Sequence, residues 1–178
     1  HEEHQSVRNC RQSPLYARLL EQGACFGEKL GWERPNWFAD KSIGETASDV
    51  YTYGRQNWFD AVGREHLAAR NAAVLFDQTS FAKFLVSGRD SLAALQWIAA
   101  NNLDKPVGSV IYTQLLDARG GIQCDLTITR VGEDSFYVVT GTGFATHDFD
   151  WIKRNIAAGA GSGVGADVRL TDVTDTRS

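Results

Sequence analysis

Polar and apolar positions alternate cleanly from Gln123 to Thr129. Side chains of a strand point to opposite faces in turn, so Leu126 and Ile128 share one face and Gln123, Asp125, Thr127 and Thr129 the other. A second β-prone run, Tyr112 to Leu116, precedes it, and the two are joined by Asp117-Ala118-Arg119-Gly120-Gly121. Paired glycines supply the positive φ that a tight turn needs, so the segment is predicted to be a β-hairpin. A turn centred near Gly120 sets Gln114 or Leu116 opposite Asp125. Either register leaves Tyr112, Gln114, Asp125 and Thr127 together on a polar face that carries one carboxylate and one phenol. By itself such a face reads as the solvated side of a sheet.

The elements around this hairpin follow from the same patterning. Ser13-Pro14-Leu15 opens a helix with a cap, a proline in the first turn and the stripe Leu15, Leu19, Leu20; Gly23 ends it. Cys25 to Phe38 reads as an aromatic-rich extended arm whose Trp and Phe side chains anchor it by burial. Residues 39–56 read as a loop, and Asp60 as the cap of a helix over Ala61 to Ala73. Val74 to Asp77 and Ala82 to Val86 read as strands. Helices are expected over Ser91 to Ala99, with Leu92, Leu95 and Ile98 on one stripe, and over Ala145 to Ile156. Further strands are expected at Phe136 to Thr140 and Val168 to Leu170. Residues 74–173 thus run strand, strand, helix, strand, strand, strand, helix, strand. That alternation predicts an α+β fold: a ferredoxin-like, mixed, mostly antiparallel sheet with helices packed on it, preceded by the aromatic arm.

Composition narrows the function. A chain of 178 residues, 43% hydrophobic, can bury one substantial core or one core and a small appendage. A net charge of −4 with both signs interspersed offers no electrostatic footprint for nucleic acid or an anionic membrane. No apolar run approaches spanning length. Cys10, Cys25 and Cys124 form neither a CxxC pair nor an even disulfide set, and read as reduced thiols of a bacterial cytoplasm or a mitochondrial matrix. His1-Glu2-Glu3-His4 lacks the His-Glu-x-x-His spacing, no other His/Cys group has metal-ligand spacing, and no metal is expected. The run Gly159 to Gly165 fails the nucleotide-binding pattern: its spacing is wrong and it leads from a helix into a strand.

A resemblance assigns a role to the polar face. Tyr112-Thr113, then Leu116-x-x-x-Gly120-Gly121-Ile122, then Asp125-Leu126-Thr127-Ile128-Thr129 resembles the folate-binding domain of the glycine cleavage T-protein (aminomethyltransferase) family. Within that family the chain is most similar to the flavin-linked dimethylglycine and sarcosine dehydrogenases. Phe26-Gly27-Glu28-Lys29-x-Gly31-Trp32-Glu33-Arg34-Pro35-Asn36-Trp37-Phe38-Ala39 is similar to their connecting region, and Trp58-Phe59-x-x-Val62-Gly63-x-Glu65-His66 to the lead into their folate domain. Leu75-Phe76-Asp77-x-Thr79-Ser80-Phe81-Ala82-Lys83-Phe84-Leu85-Val86 matches as well, as does Thr140-Gly141-x-Gly143-x-x-x-His147-Asp148-x-x-Trp151. T-proteins carry an asparagine where this chain has Gly141, and a pocket-lining methionine where it has Phe81.

The resemblance implies two domains: residues 1–56 as a connecting region from a flavin domain absent here, and 57–178 as the truncated N-terminal part of a folate-binding domain. It implies Asp125 as the catalytic carboxylate, with Tyr112, Phe81 and Asp125 lining the tetrahydrofolate pocket. The implied enzyme is a flavin-dependent oxidative demethylase of dimethylglycine or sarcosine that passes the one-carbon unit to tetrahydrofolate. FAD belongs to the full-length protein, not to this chain, which by itself is expected to be inactive. The implied partners are a methylated glycine and the flavin domain of the same polypeptide, with no nucleic acid or membrane. Two other readings stay open: a stand-alone aminomethyltransferase or related folate-dependent methyltransferase or demethylase, and a non-catalytic assembly domain of the same fold.

Overall fold

Five strands, each antiparallel to its neighbours, form the sheet that carries the polar face. The structure is a computed structural model and describes residues 5–160 and 167–176. The His1 to His4 motif and residues 161–166 of the glycine-rich run lie outside the described residues. The chain divides into two compact units, His1–Ser80 and Phe81–Ser178.

In the first unit, helix α1 (Tyr16–Glu21) leads into strands β1 (Ala24–Lys29) and β2 (Trp32–Phe38). The expected extended arm is an antiparallel hairpin, with Ala24 opposite Phe38 and Lys29 opposite Trp32. Leu30 at φ 51° and Gly31 at φ 82° make the turn, with a leucine in a left-handed position that pattern reading does not anticipate. Burial explains the anchoring: Trp37 packs with Cys25, Ala39 and Ala61, and its indole donates to Asp49 at 2.7 Å. Helix α2 (Phe59–Asn71) starts close to the expected place. Asp60 lies in its first turn and makes no capping hydrogen bond; it pairs with Arg55 instead. The helix clusters with the first unit. Val74 to Asp77 forms no strand. Val74, Leu75 and Phe76 are exposed and have no neighbouring ladder; β-prone composition without a pairing partner does not make a strand.

In the second unit, the order is β3 (Ala82–Ser87), α3 (Ser91–Ile98), β4 (Val110–Leu116), β5 (Ile122–Gly132), β6 (Ser135–Thr140), α4 (Ala145–Ala160) and β7 (Arg169–Asp172). β6, α4 and β7 make a split β–α–β unit, because β3 pairs with both β6 and β7 and so lies between them. The β4–β5–β6 meander extends the sheet on the other side. One sheet face sends Ala82, Phe84, Val86, Ile111, Leu115, Cys124, Leu126, Ile128, Phe136 and Val138 into a single core with Leu95, Ile98, Ile152 and Ile156 of α3 and α4. The Phe149 ring meets Phe84 edge-on at 5.3 Å. The expected α+β architecture, helices packed on an antiparallel sheet, is therefore present, without a closed barrel among the described residues.

The register can be checked by stability. Ile128 is fully buried, and Ile128→Ala should cost about 2–5 kcal/mol of unfolding free energy. Thr129→Ala, one residue on and on the other face, should cost under about 1 kcal/mol. Urea unfolding midpoints decide it; equal losses would place β5 in the wrong register.

Candidate functional site

The hairpin turn is built by Asp117 more than by the two glycines acting alike. The Asp117 carboxylate accepts from the backbone N–H of Arg119 at 2.8 Å and of Gly121 at 2.9 Å. Those bonds hold its carboxyl below the usual carboxylate range. Gly120 alone takes the left-handed conformation, at φ 81°. Gly121 is needed for room: a Cβ there would lie 2.9 Å from the Asp117 carboxylate. The turn thus closes on Leu116 opposite Ile122, with a bulge after Leu115 that restores the alternation.

With this turn, Gln114 stands opposite Asp125 and Tyr112 opposite Thr127. All four point away from the helices, on the face expected from the sequence. Tyr112 is 61% exposed, whereas its neighbour Thr113 is buried and its hydroxyl oxygen accepts from the Asn101 backbone at 3.1 Å. Gln114 donates through Nε2 to Asp125 Oδ1 at 3.1 Å. A hydrogen bond to the Asp125 carboxylate raises the Tyr112 phenol above the ordinary tyrosine range; partial desolvation and the charge of Asp125 add to this, and Gln114 opposes it. The result is a carboxylate on an open platform, held from two sides by an amide and a phenol.

Phe81 immediately precedes β3 and is half-buried. The ladders Lys83–Val139 and Thr127–Val139 put Lys83 on the face of Tyr112 and Thr127. Continuing the alternation two residues back along β3 puts Phe81 on that face as well, two strands from Asp125, or about 10 Å across the sheet. The three residues singled out from sequence therefore share a face, but only Tyr112 and Asp125 are joined by a hydrogen bond. Sequence reasoning passed over Lys83. It is 4% exposed, its ammonium donates to the Phe81 carbonyl at 2.8 Å, and its backbone is held by Thr174 and Val173. The signal was there: in Ala82-Lys83-Phe84 the lysine must face opposite its apolar neighbours. Gly141 begins a short 3-10 turn, and the Phe144 ring lies 3.3 Å from where its Cβ would be. An asparagine at this position would press on that ring.

Folding also joins three residues far apart in sequence. The ligand atoms of Cys124, His147 and Asp148 lie within 4.8 Å of one another. No His/Cys group has metal-ligand spacing along the chain; folding alone brings these three together.

Residues 15–178 match the family model described as the GCVT N-terminal domain. The chain belongs to that family. Among its relatives, 4-methylaminobutanoate oxidase (formaldehyde-forming) from Paenarthrobacter nicotinovorans is 46% identical over 157 residues, 88% of this chain and 19% of the relative. Mitochondrial sarcosine dehydrogenase from Homo sapiens is 32% identical over 187 residues, 85% of this chain and 20% of the relative. The chain thus spans about a fifth of the length of these curated relatives. The crystal structure of the glycine cleavage system aminomethyltransferase T from Bartonella henselae superposes with a TM-score of 0.71 at 24% identity, covering 93% of this chain and 39% of that one. That likeness concerns the fold alone. The family match begins at residue 15. Among the described residues no helix is long and apolar enough to cross a membrane, and Cys10, Cys25 and Cys124 are free thiols.

The pairing of Tyr112 with Asp125 has a measurable sign. A phenol whose folded pKa is raised contributes stability that is fully present below its unfolded value, near 10, and lost as pH rises through the folded value. Asp125→Asn should bring the Tyr112 titration down toward an ordinary tyrosine, followed by the Tyr112 ring resonances in NMR. An unmoved titration would show that the two groups are not paired.

Proposed function

We propose that this GCVT-family chain is the tetrahydrofolate-binding part of a flavin-dependent demethylase of an N-methylated amino acid such as sarcosine or dimethylglycine. The carrying observation is the exposed Asp125 carboxylate, held by Gln114 and facing the same way as Tyr112. In this reading residues 1–56 lead in from a flavin domain of the same polypeptide, and 57–178 begin the folate domain. The compartment is a bacterial cytoplasm or a mitochondrial matrix, in keeping with free thiols and a mitochondrial relative.

The residues suit a folate. A pteridine is flat and carries amine donors, which match an open sheet face with one acceptor carboxylate and an aromatic ring beside it. Tetrahydrofolate, when bound, supplies the nucleophilic amine that takes up the one-carbon unit released by amine oxidation. Asp125 would accept a hydrogen bond from that amine, orient it, and hold the proton it gives up. Its negative charge also stabilises a cationic iminium in the same place. Gln114 and the Tyr112 phenol orient the carboxylate, whose two oxygens still have lone pairs to offer the ligand. Tyr112 and Phe81 flank the ligand, and Lys83 holds the backbone at Phe81.

A second reading is favoured by one observation. The Paenarthrobacter relative is described as formaldehyde-forming, which is the outcome when water instead of a folate amine captures the iminium carbon. One experiment separates the two. In the full-length protein, Asp125→Asn should slow methylenetetrahydrofolate formation by about 100 to 10,000-fold, leave amine oxidation intact, and divert the carbon to formaldehyde. If wild type makes formaldehyde at the same rate with and without tetrahydrofolate, the folate reading fails.

A further inference from the structure

Across β5 from Asp125, on the core side, Cys124 faces the first turn of α4. The Asp148 carboxylate there is 1% exposed. Its Oδ2 accepts from the Thr140 hydroxyl at 2.6 Å, and its Oδ1 lies 2.8 Å from Nδ1 of His147. The Cys124 thiol also bonds to this carboxylate, and burial together with that bond pushes the thiol pKa up. Three elements, β5, β6 and α4, therefore converge on one buried carboxylate.

We propose that Cys124, His147 and Asp148 form a binding site for a zinc-class divalent cation that clamps the first turn of α4 to β5. Tetrahedral zinc with sulfur at about 2.3 Å and nitrogen or oxygen at about 2.0–2.2 Å keeps its ligand atoms roughly 3.3–3.6 Å apart. A trio already within 4.8 Å reaches that spacing by small side-chain rotations. One thiolate, one imidazole and a single carboxylate select a borderline cation over magnesium or calcium, which take oxygen-rich sets. On binding, the thiol proton passes to solvent, and the imidazole shifts its proton to Nε2 and presents Nδ1. The His147 side chain is 49% exposed, so Nε2–H stays hydrated and a water can enter as the fourth ligand. The Thr140 hydroxyl keeps its bond to Oδ2 and aims Oδ1 inward, the supporting role that outer hydrogen bonds play in metal sites. The site does not depend on the folate reading.

The test is cobalt titration of the chelator-treated protein. Wild type should bind one equivalent with a thiolate-to-cobalt charge-transfer band in the near ultraviolet. Zinc should displace that band and raise the melting temperature. His147→Ala, at a half-exposed position and checked for folding by circular dichroism, should abolish the band and the zinc-dependent rise. Its loss of affinity should exceed the roughly 10–100-fold typical of a supporting residue. Cys124→Ala should abolish the band as well. The terminal histidines carry no thiolate and cannot produce it. Absence of the band in wild type, or its persistence in His147→Ala, overturns the site.

Discussion

The position of Asp125 depends on the burial of its neighbours. Cys124, Leu126 and Ile128 enter the core beside Phe136, Val138, Leu95 and Ile152. Each large apolar side chain so buried contributes on the order of 1.5–3 kcal/mol. A slip of β5 by one residue would turn these side chains to the open face and drive Asp125 and Thr127 among the helices. The hydrophobic pattern therefore selects the register, and the register delivers the carboxylate to the open side. Asp125 itself adds little to holding the strand there. The same division leaves Cys124, one residue away, on the core side with Asp148.

This arrangement separates what holds the fold from what is available for chemistry. The helices cover one sheet face completely and contribute nothing to the platform of Tyr112, Gln114, Asp125 and Thr127. Substitutions on the platform should therefore change ligand contact at small cost in stability. Lys83 is an exception, since its buried ammonium and its backbone both tie the N-terminal end of β3 to neighbouring segments. Removing it would disturb Phe81 and the fold together.

The hairpin was legible because its alternation, its glycine turn and the burial of one face all act locally and agree. Its polar face, Tyr112 with Asp125, followed directly. Elsewhere local signals misled for physical reasons. Val74-Leu75-Phe76 has strand composition but no partner strand, so it stays exposed. The aromatic arm folds into a hairpin because Leu30 accepts a left-handed conformation beside Gly31, and no Asn-Gly turn announces it. Asp60 stands where a cap is expected, yet it pairs with Arg55. The Cys124–His147–Asp148 group could not be read at all. Its members meet only because the meander and the split β–α–β unit bring β5 and the start of α4 together.

Exposure sets a condition on any catalysis at Asp125. Two unit charges 4 Å apart interact by only about 1 kcal/mol in water, against about 4 kcal/mol at the effective dielectric of a protein surface. An exposed carboxylate can thus stabilise a neighbouring iminium only weakly. Covering the site changes this: a flat ligand over Tyr112 and Asp125 removes water, and further polypeptide closing over the ligand removes more. The chain spans about a fifth of the length of the relatives it matches. The same cover would keep water from an iminium carbon and favour its capture by a folate amine over hydrolysis to formaldehyde. In the proposed reading, enclosure of this one sheet face would govern both the strength of Asp125 and the fate of the one-carbon unit.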